Sequence, residues 1–277
     1  MGTRGARLFF LVLAATASGL GACVETTAVS PDANMLVVHA VLDPGVQHQI
    51  IVVQSTTGAI QAQRQVTGAL VTIETPDGRT LTAMERRDTA AVSGFPTVTT
   101  IYDLDVGSAG LIPGGAYQLR IVAPDGRTVT GRTTIPNAIP SNAVTQTQTI
   151  DRTRDTVSLQ WSRVAGARSY QVFVRSPIST FSVFAADTSL ALPGTAQDLN
   201  GSSLGCAGKP TFGVCPFAFV SGLTSRLVVI AVDENYFDYY SRTSDLFSTT
   251  GLIMHLDGGI GVFGSVVAIA TRAIAVK

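Results

Sequence analysis

Within the stretch Ala116-Tyr117-Gln118-Leu119-Arg120-Ile121-Val122, apolar and polar residues alternate from Tyr117 to Ile121. Successive side chains of a strand point to opposite faces, so Tyr117, Leu119 and Ile121 share one face. Strict alternation over this length is typical of a strand with one buried face. We therefore interpret the three side chains as core residues of a β-sheet and not as a binding stripe.

Turn signals on both sides of this strand extend the pattern to a whole sheet. Pro113-Gly114 precedes it, and Pro124-Asp125-Gly126-Arg127 follows it. The same turn occurs as Pro76-Asp77-Gly78-Arg79 after the alternating run 69–74. Asp-Gly between alternating runs favours a tight hairpin, because Gly tolerates a positive φ. No segment shows a sustained helical period, so the sequence predicts an all-β protein with few and short helices.

The first 22 residues have the features of an exported protein's leader. Arg4 and Arg7 precede a short apolar run, and small residues lead to Cys23. The run is too short to span a membrane as a helix. The stretch Leu20-Gly21-Ala22-Cys23 resembles a bacterial lipobox, which implies that Cys23 is lipidated and begins the mature chain. The alternative is an ordinary secretory signal followed by a chance cysteine.

Composition restricts the classes of function. Hydrophobic residues make up 45% of the chain, which is ample for a packed core. The 22-residue leader holds two arginines and no acid, so the remainder has 17 basic and 19 acidic residues, a net charge of −2. Nucleic-acid binding needs clustered positive charge, and this balance argues against it. Residues 23–34 are polar and aperiodic, and we interpret them as a tether between lipid and fold.

The segment 35–136 is predicted to be a first β-sandwich. It contains Gly-Ala-x-Val-x-Ile from Gly68, a hairpin turn, and then Leu-x-Pro-Gly-x-x-Tyr-x-Leu-x-Ile from Leu111. This order of parts resembles a transthyretin-like or carboxypeptidase-regulatory-like sandwich. A Pro/Asn/Thr/Gln-rich linker at 137–149 follows.

The segment 150–248 is predicted to be a second β-sandwich. A strand ending in Leu159-Gln160-Trp161, a Gly-Ala turn and Tyr170-x-Val172-x-Val174 resemble a fibronectin type III domain, in which the tryptophan packs between the sheets. Residues 195–217 are too long for a simple connection and are interpreted as a loop insertion. The remainder, 249–277, is predicted to be a C-terminal strand segment. The fold class is thus all-β, with two immunoglobulin-like β-sandwich domains after a lipoprotein signal peptide.

Two cysteines lie within the predicted insertion. In an exported protein, the even pair Cys206 and Cys215 favours a disulfide, and two free thiols are the alternative.

Two short motifs match known functional patterns, but the sequence around each motif argues against that function. Gly201-Ser202-Ser203-Leu204-Gly205 matches the G-x-S-x-G elbow of a serine hydrolase, but loop sequence surrounds Ser203, and only His255 follows as a base. The stretch 259–264 matches a dinucleotide fingerprint, yet the few residues after Gly264 cannot form the required βαβ unit. We predict no catalytic residue, no enzyme activity and no cofactor.

A cluster of acidic and aromatic residues lies at the end of the strand predicted for Leu227 to Asp233. Asp233, Glu234, Asn235 and Asp238 are oxygen ligands, but their spacing is not that of a calcium loop, and whether they bind a cation stays open. The three histidines lie far apart, so no metal site is predicted. Four rings within five positions exceed what a loop can readily bury, and aromatic residues are enriched at interfaces. The candidate partner contacts are Tyr236, Phe237, Tyr239 and Tyr240, on a loop between strands. The alternative is a loop that packs these rings against one another and offers no contact surface.

The order of these parts resembles a family of bacterial outer-membrane lipoproteins known only as a domain of unknown function. Members are often encoded beside TonB-dependent receptors. The resemblance implies a lipid-anchored accessory protein of the outer membrane, on an unresolved face, with a TonB-dependent receptor as a possible partner. The alternatives are a freestanding adhesin or structural envelope module, and a surface hydrolase that uses Ser203. The ligand, the oligomeric state and the docking of the two sandwiches stay open.

Overall fold

The computed structural model describes residues 34–57, 59–92, 95–138, 148–177, 180–196, 218–241 and 255–277. This part of the chain contains seventeen strands and one short helix, which confirms the all-β prediction. The strands are β1 (Leu36–Leu42), β2 (His48–Thr57), β3 (Ala59–Gln65), β4 (Leu70–Glu74), β5 (Thr80–Thr82), β6 (Met84–Val92), β7 (Phe95–Asp105), β8 (Ala116–Val122), β9 (Thr128–Thr134), β10 (Gln148–Ile150), β11 (Thr156–Gln160), β12 (Ser169–Arg175), β13 (Thr180–Ala185), β14 (Ser189–Pro193), β15 (Thr224–Val232), β16 (Leu256–Asp257) and β17 (Gly259–Val276). The helix is α1 (Glu234–Ser241).

These strands form three sheets. A ten-stranded sheet runs in the order β13-β12-β15-β17-β1-β2-β7-β6, with β10 beside β17 and β3 beside β2. A five-stranded sheet runs β16-β9-β8-β4-β5, and β11 pairs with β14 alone. The five-stranded sheet and the β11–β14 pair pack on different stretches of the large sheet, and this arrangement produces two sandwiches.

The first sandwich places the five-stranded sheet against β1, β2, β7 and the start of β17. Its core contains the side chains predicted from alternation, since Tyr117, Leu119 and Ile121 are 1, 1 and 0% exposed. The Tyr117 hydroxyl accepts a hydrogen bond from the Ile112 amide at 2.7 Å, which satisfies the one polar atom of that ring. The prediction that this face is core is confirmed.

The hairpin turns have the predicted chemistry. Gly78 and Gly126 have φ angles of +80° and +87°. The amide of each donates a 2.9 Å hydrogen bond to the residue three positions earlier, Thr75 or Ala123. Glycine adopts this left-handed conformation at little cost, so each Asp-Gly pair reverses the chain tightly.

The second sandwich places β11 and β14 against β13, β12, β15 and the end of β17. Trp161 is partly buried against the core, and its ring lies 5.3 Å from that of Tyr170 in an edge-to-face contact. The predicted insertion lies largely outside the described residues, but its flanks meet, because the Ala218 amide donates to the Ala196 carbonyl at 2.9 Å.

Strand β17 belongs to both sandwiches. Its first half, Gly259 to Ser265, pairs in parallel with β1. Its second half, Val266 to Ala275, pairs antiparallel with β15, and its end also pairs in parallel with β10. The preceding strand β16 pairs with β9 in the opposite sheet of the first sandwich. The C-terminal segment therefore supplies strands to the first sandwich as well as to the second, and the predicted domain boundaries are best tested with fragments.

Glycines allow the chain to cross between the sheets of the first sandwich. A Cβ on Gly258, where φ is +78°, would lie 2.3 Å from the Thr128 carbonyl oxygen. A Cβ on Gly261, where φ is +113°, would lie 2.0 Å from the Val38 carbonyl oxygen. The G-x-G-x-x-G match is therefore part of a strand whose glycines serve close backbone packing.

The two sandwiches also touch outside β17. The Asn137 amide donates to the Ala165 carbonyl at 2.9 Å, so the strand that leaves the first sandwich meets the turn between β11 and β12. In the described part of the chain, no helix is long and apolar enough to cross a membrane.

Candidate functional site

The candidate contact residues lie on helix α1 and not on a loop, so the loop prediction is wrong. Asp233 caps the helix, because its Oδ1 accepts a hydrogen bond from the Tyr236 amide at 2.9 Å. Its carbonyl accepts from the Phe237 amide at 3.1 Å, the first helical bond. Aspartate is a favoured N-cap, and Glu234 in the first turn suits the helix dipole. This Asp-Glu start was the sequence signal for the helix.

A buried polar group, the Asp233 junction, fixes the start of this helix to both sandwiches; it comprises Thr133, Asp233 and Ser265. The Thr133 hydroxyl of β9 donates to Asp233 Oδ2. The Ser265 amide of β17 donates to Asp233 Oδ1 at 3.0 Å. Burial raises the pKa of the Asp233 carboxyl, and hydrogen bonds led by that from Thr133 act in the opposite direction.

The helix rests directly on strand β17 at Gly264. A Cβ at this position would lie 2.9 Å from the Tyr236 amide nitrogen, so any larger side chain would push the helix away. Asn235 adds a second attachment, because its Nδ2 donates to the carbonyls of Arg132 at 2.6 Å and Phe263 at 2.8 Å. The last glycine of the motif thus supports α1.

The inner rings of α1 have a structural role. Tyr236 is 8% exposed, and its hydroxyl donates to Gln171 Oε1 at 2.7 Å. Burial strongly raises the pKa of Tyr236. Phe237 makes an edge-to-face contact with Phe184 at 5.3 Å, and the Arg168 guanidinium lies 5.0 Å above its ring. Of the four predicted contact residues, Tyr236 is thus held inside.

The outer rings gather around a histidine that sequence spacing did not connect with them. His39 of β1 lies edge-on to Tyr239 at 6.1 Å and to Tyr240 at 5.7 Å. Its Nε2 also meets the Tyr240 hydroxyl in a short hydrogen bond. We call His39, Tyr239 and Tyr240 the aromatic cluster. The one available signal was a lone polar residue within the apolar run of β1.

The aromatic cluster is partly open to solvent. Both tyrosines are half-buried, and His39 is exposed at its edge. Burial raises the pKa of Tyr239, and burial together with the neighbouring tyrosines raises that of Tyr240. Burial of the His39 ring lowers its pKa, which favours the neutral form. The arrangement is therefore a neutral, amphipathic patch that can contact a partner through rings and hydroxyl groups.

The oxygen ligands near α1 do not converge on one point. Asp233 and Asn235 are engaged in the bonds described above, and Asp238 Oδ2 pairs with His255 Nε2 at 2.9 Å. Among the described residues, no group of three or more His, Cys, Asp or Glu side chains is placed to hold a metal ion.

Several predicted site residues lie outside the described ranges. They are Cys23, Cys206, Cys215 and Ser203. The lipidation, the disulfide and the alternative nucleophile therefore stay predictions. His255, the base that Ser203 would require, is instead paired with Asp238.

A family model described as "Domain of unknown function (DUF4249)" matches residues 24–271. No curated protein matches the chain. A two-domain fibronectin type III segment from chicken tenascin is 14% identical, with 72% of this chain and 90% of that chain covered, at a TM-score of 0.22. A Ca²⁺-stabilized adhesin with which an Antarctic bacterium binds ice is also 14% identical, with 88% of this chain but only 49% of that chain covered, at a TM-score of 0.20. At these TM-scores neither likeness carries an argument about this chain.

Proposed function

This chain belongs to the DUF4249 family, and we propose that it is a lipid-anchored binding protein of the bacterial outer membrane. In this proposal it acts as an accessory subunit of an uptake complex, with a TonB-dependent receptor as its partner. The lipobox-like Leu20 to Cys23 supports the anchor, and the family resemblance supports the partner. The mature chain would be held at the membrane by acyl chains and not by a spanning segment.

The observation that carries the binding role is the aromatic cluster. Its three rings come from β1 and from α1, elements almost two hundred residues apart in sequence, and they meet on the outer face of the large sheet. The Asp233 junction and Gly264 hold α1 in place beneath them, so little ordering would be required on binding. Preorganised tyrosines give large contact area at low entropic cost, which is the usual advantage of such residues at interfaces.

The experiment is crosslinking of intact cells followed by purification of the tagged, lipidated protein. We expect a stoichiometric TonB-dependent receptor to co-purify, and the Tyr239→Ser/Tyr240→Ser variant to lose it. Tyr236 is left intact because its burial makes it part of the fold. Met84→Ser is the matched control, since Met84 is 76% exposed on a distant edge strand and should not affect capture. If the tyrosine variant captures the receptor as well as the wild type does, the aromatic cluster is not part of the contact with the receptor.

A freestanding adhesin or structural envelope module is the alternative, and the shared strand β17 favours it. A strand that pairs in both sandwiches ties them together mechanically, as an extended envelope module requires. The same purification separates the two, because a freestanding protein yields a clean preparation without a receptor.

The alternative of a surface hydrolase is tested separately. A fluorophosphonate probe would label a reactive Ser203 in the purified protein. We expect no labelling, and labelling that disappears in Ser203→Ala would establish the enzyme instead.

A further inference from the structure

The outward face of the second sandwich carries a patch of different chemistry from the aromatic cluster. Helix α1 covers the upper part of this face, where Tyr236 reaches Gln171 and Phe237 reaches Phe184. Below the helix, no described element lies on the sheet. We call this part the arginine face: Arg175, Thr180 and Arg226 are exposed on it, Phe173 and Val228 are half-buried, and Ser182 is buried at 9% exposure.

Strand register aligns these side chains in two rows. In the lower row, Arg175 of β12 lies between Thr180 of β13 and Arg226 of β15. In the upper row, Phe173 lies between Ser182 and Val228. The Arg175 guanidinium lies 5.1 Å from the centroid of the Phe173 ring, so a cation–π contact links the rows.

The positions of the two arginines on the sheet are electrostatically unfavourable. Arg175 and Arg226 are directly opposite on neighbouring antiparallel strands, and like charges at such positions repel. Both side chains are exposed. Neither forms an ion pair within the described part of the chain, and none of the six residues of the face is acidic. A complementary anion is therefore missing from the face itself.

The patch ends at strand β13, where the described residues provide none of the usual protection of an edge strand. Strand β13 is the outermost strand of the ten-stranded sheet, and no described strand pairs with its second edge. Its sequence, Thr-Phe-Ser-Val-Phe-Ala, contains no charge and no proline. Natural sheets normally place such residues at an open edge to prevent pairing with other chains. An open, uncharged edge can accept an added strand.

We propose that the arginine face and the free edge of β13 together dock an acidic extended segment of a partner protein. The segment adds to the sheet beside β13 through backbone hydrogen bonds. A Glu or Asp side chain in the lower row then faces the guanidinium groups, and an apolar side chain in the upper row packs towards Phe173.

The short side chains of β13 make this arrangement possible. Thr180 and Ser182 stand between the added strand and β12. Because both are small, a glutamate on the added strand and the long side chain of Arg175 can meet above Thr180. A guanidinium binds a carboxylate with two parallel hydrogen bonds, which gives the site specificity as well as attraction. Strand addition would also define the sequence that the bound segment requires, namely an acidic and an apolar residue two positions apart.

The test uses the full mature protein and a fluorescent peptide, Glu-Thr-Glu-Thr-Val-Thr-Val-Thr, whose outward side chains are acidic and then apolar. Fluorescence polarisation should show saturable binding that weakens at least tenfold in Arg175→Gln/Arg226→Gln. The peptide with Gln in place of Glu should lose affinity to the same extent. Phe173→Ser should weaken binding without changing its salt dependence, because it removes packing and not charge.

Peptide N-methylation tests strand addition itself. Methyl groups on one alternating set of amides block one edge of a strand, so one methylated peptide should fail to bind and the complementary one should bind normally. No saturable binding of the Glu peptide above the Gln peptide would overturn the proposal. Equal tolerance of both methylation patterns, or stronger arginine-dependent binding to inorganic phosphate or to vesicles containing anionic lipid, would also overturn it in favour of a simple anion site.

This inference is independent of the proposed uptake role. Tyr239→Ser/Tyr240→Ser should leave peptide affinity unchanged, because the aromatic cluster lies on β1 and α1 and shares no residue with the arginine face. Loss of receptor capture with retained peptide binding, or the reverse, therefore identifies which of the two surfaces fails.

Discussion

The two halves of β17 differ in composition and in what surrounds them. The half that pairs with β1 contains Gly259, Gly261 and Gly264, whereas the half that pairs with β15 contains none. In the glycine half, neighbouring backbone or helix atoms occupy the space of each missing Cβ. In the second half, apolar side chains such as Ile269 and Ile274 point into an ordinary sandwich core.

This difference shows how one strand serves two sandwiches. The glycine half lies where β17 enters from the opposite sheet and where α1 packs on its outer face, so backbone approach decides what fits. The second half is stabilised by side-chain burial, which tolerates small changes in shape. Four substitution experiments and one fragment experiment can break or sharpen this contrast.

The largest effect is expected from Gly261→Ala. The new methyl group would lie 2.0 Å from the Val38 carbonyl oxygen at a φ of +113°, so strain and steric overlap both oppose folding. We expect a loss of at least about 3 kcal/mol in the free energy of unfolding, measured by urea denaturation. Ala268→Ser in the second half is exposed and should cost less than about 0.5 kcal/mol. Similar costs for the two variants would refute the contrast.

The next effect is expected at the Asp233 junction, where the two halves of β17 meet. Asp233→Ala removes the cap of α1 and leaves the Ser265 amide and the Thr133 hydroxyl without their buried partner. We expect a loss of about 2–3 kcal/mol. Asp233→Asn retains an oxygen that can accept from the Tyr236 and Ser265 amides, so it should recover most of the lost free energy of unfolding. If asparagine costs as much as alanine, the carboxylate acts through charge and not through these hydrogen bonds.

A smaller effect separates the inner and outer rings above Gly264. Tyr236→Phe removes the hydroxyl that reaches Gln171 and leaves a buried amide oxygen without its donor, so we expect a loss of about 1–2 kcal/mol. Tyr239→Phe should change the free energy of unfolding by less than about 0.5 kcal/mol, because that side chain is only half-buried. Thermal unfolding of the two variants side by side gives the comparison. A larger cost at Tyr239 would mean that the outer ring is also part of the fold.

The smallest effect is a pH dependence. Burial raises the pKa of Asp233 in the folded state, so its contribution to stability is complete below the ordinary carboxyl pKa and is lost as pH rises through the folded value. The free energy of unfolding of the wild type minus that of Asp233→Asn should therefore fall as pH rises above the ordinary carboxyl pKa.

Asp125 supplies a control of opposite sign. A hydrogen bond from the Arg127 side chain lowers the pKa of this exposed carboxyl, so its contribution is present above the ordinary pKa and is lost as pH falls. The wild type minus Asp125→Asn should therefore rise with pH, at the acid end of the range. A rising difference for Asp233 would show that its hydrogen bonds outweigh its burial.

The sequence was sufficient for features that depend on local pattern. Alternation identified Tyr117, Leu119 and Ile121 as core, and Asp-Gly pairs located two hairpin turns. The all-β class followed from the same reasoning, because period-two burial and tight turns involve residues close together in the chain.

Features that depend on distant partners were missed. The ring of His39 meets that of Tyr240 across 201 positions, and Thr133 meets Asp233 across 100. The glycines of β17 have no local signature that distinguishes a packed strand from a turn. Helix α1 was missed for a different reason: its aromatic residues favour strands, and Asp233 was considered as part of an acidic loop and not as a helix cap.

The most direct measurement of the shared-strand account is complementation by fragments. The protein is cut after His255, and a synthetic peptide of residues 256–277 is added while hydrogen exchange and Trp161 fluorescence are followed. We predict that the shortened chain shows no cooperative unfolding in either sandwich, and that the peptide restores protection in both β1 and β15. Cooperative folding of residues 35–136 without the peptide would contradict the account, because the first sandwich would then not need β17.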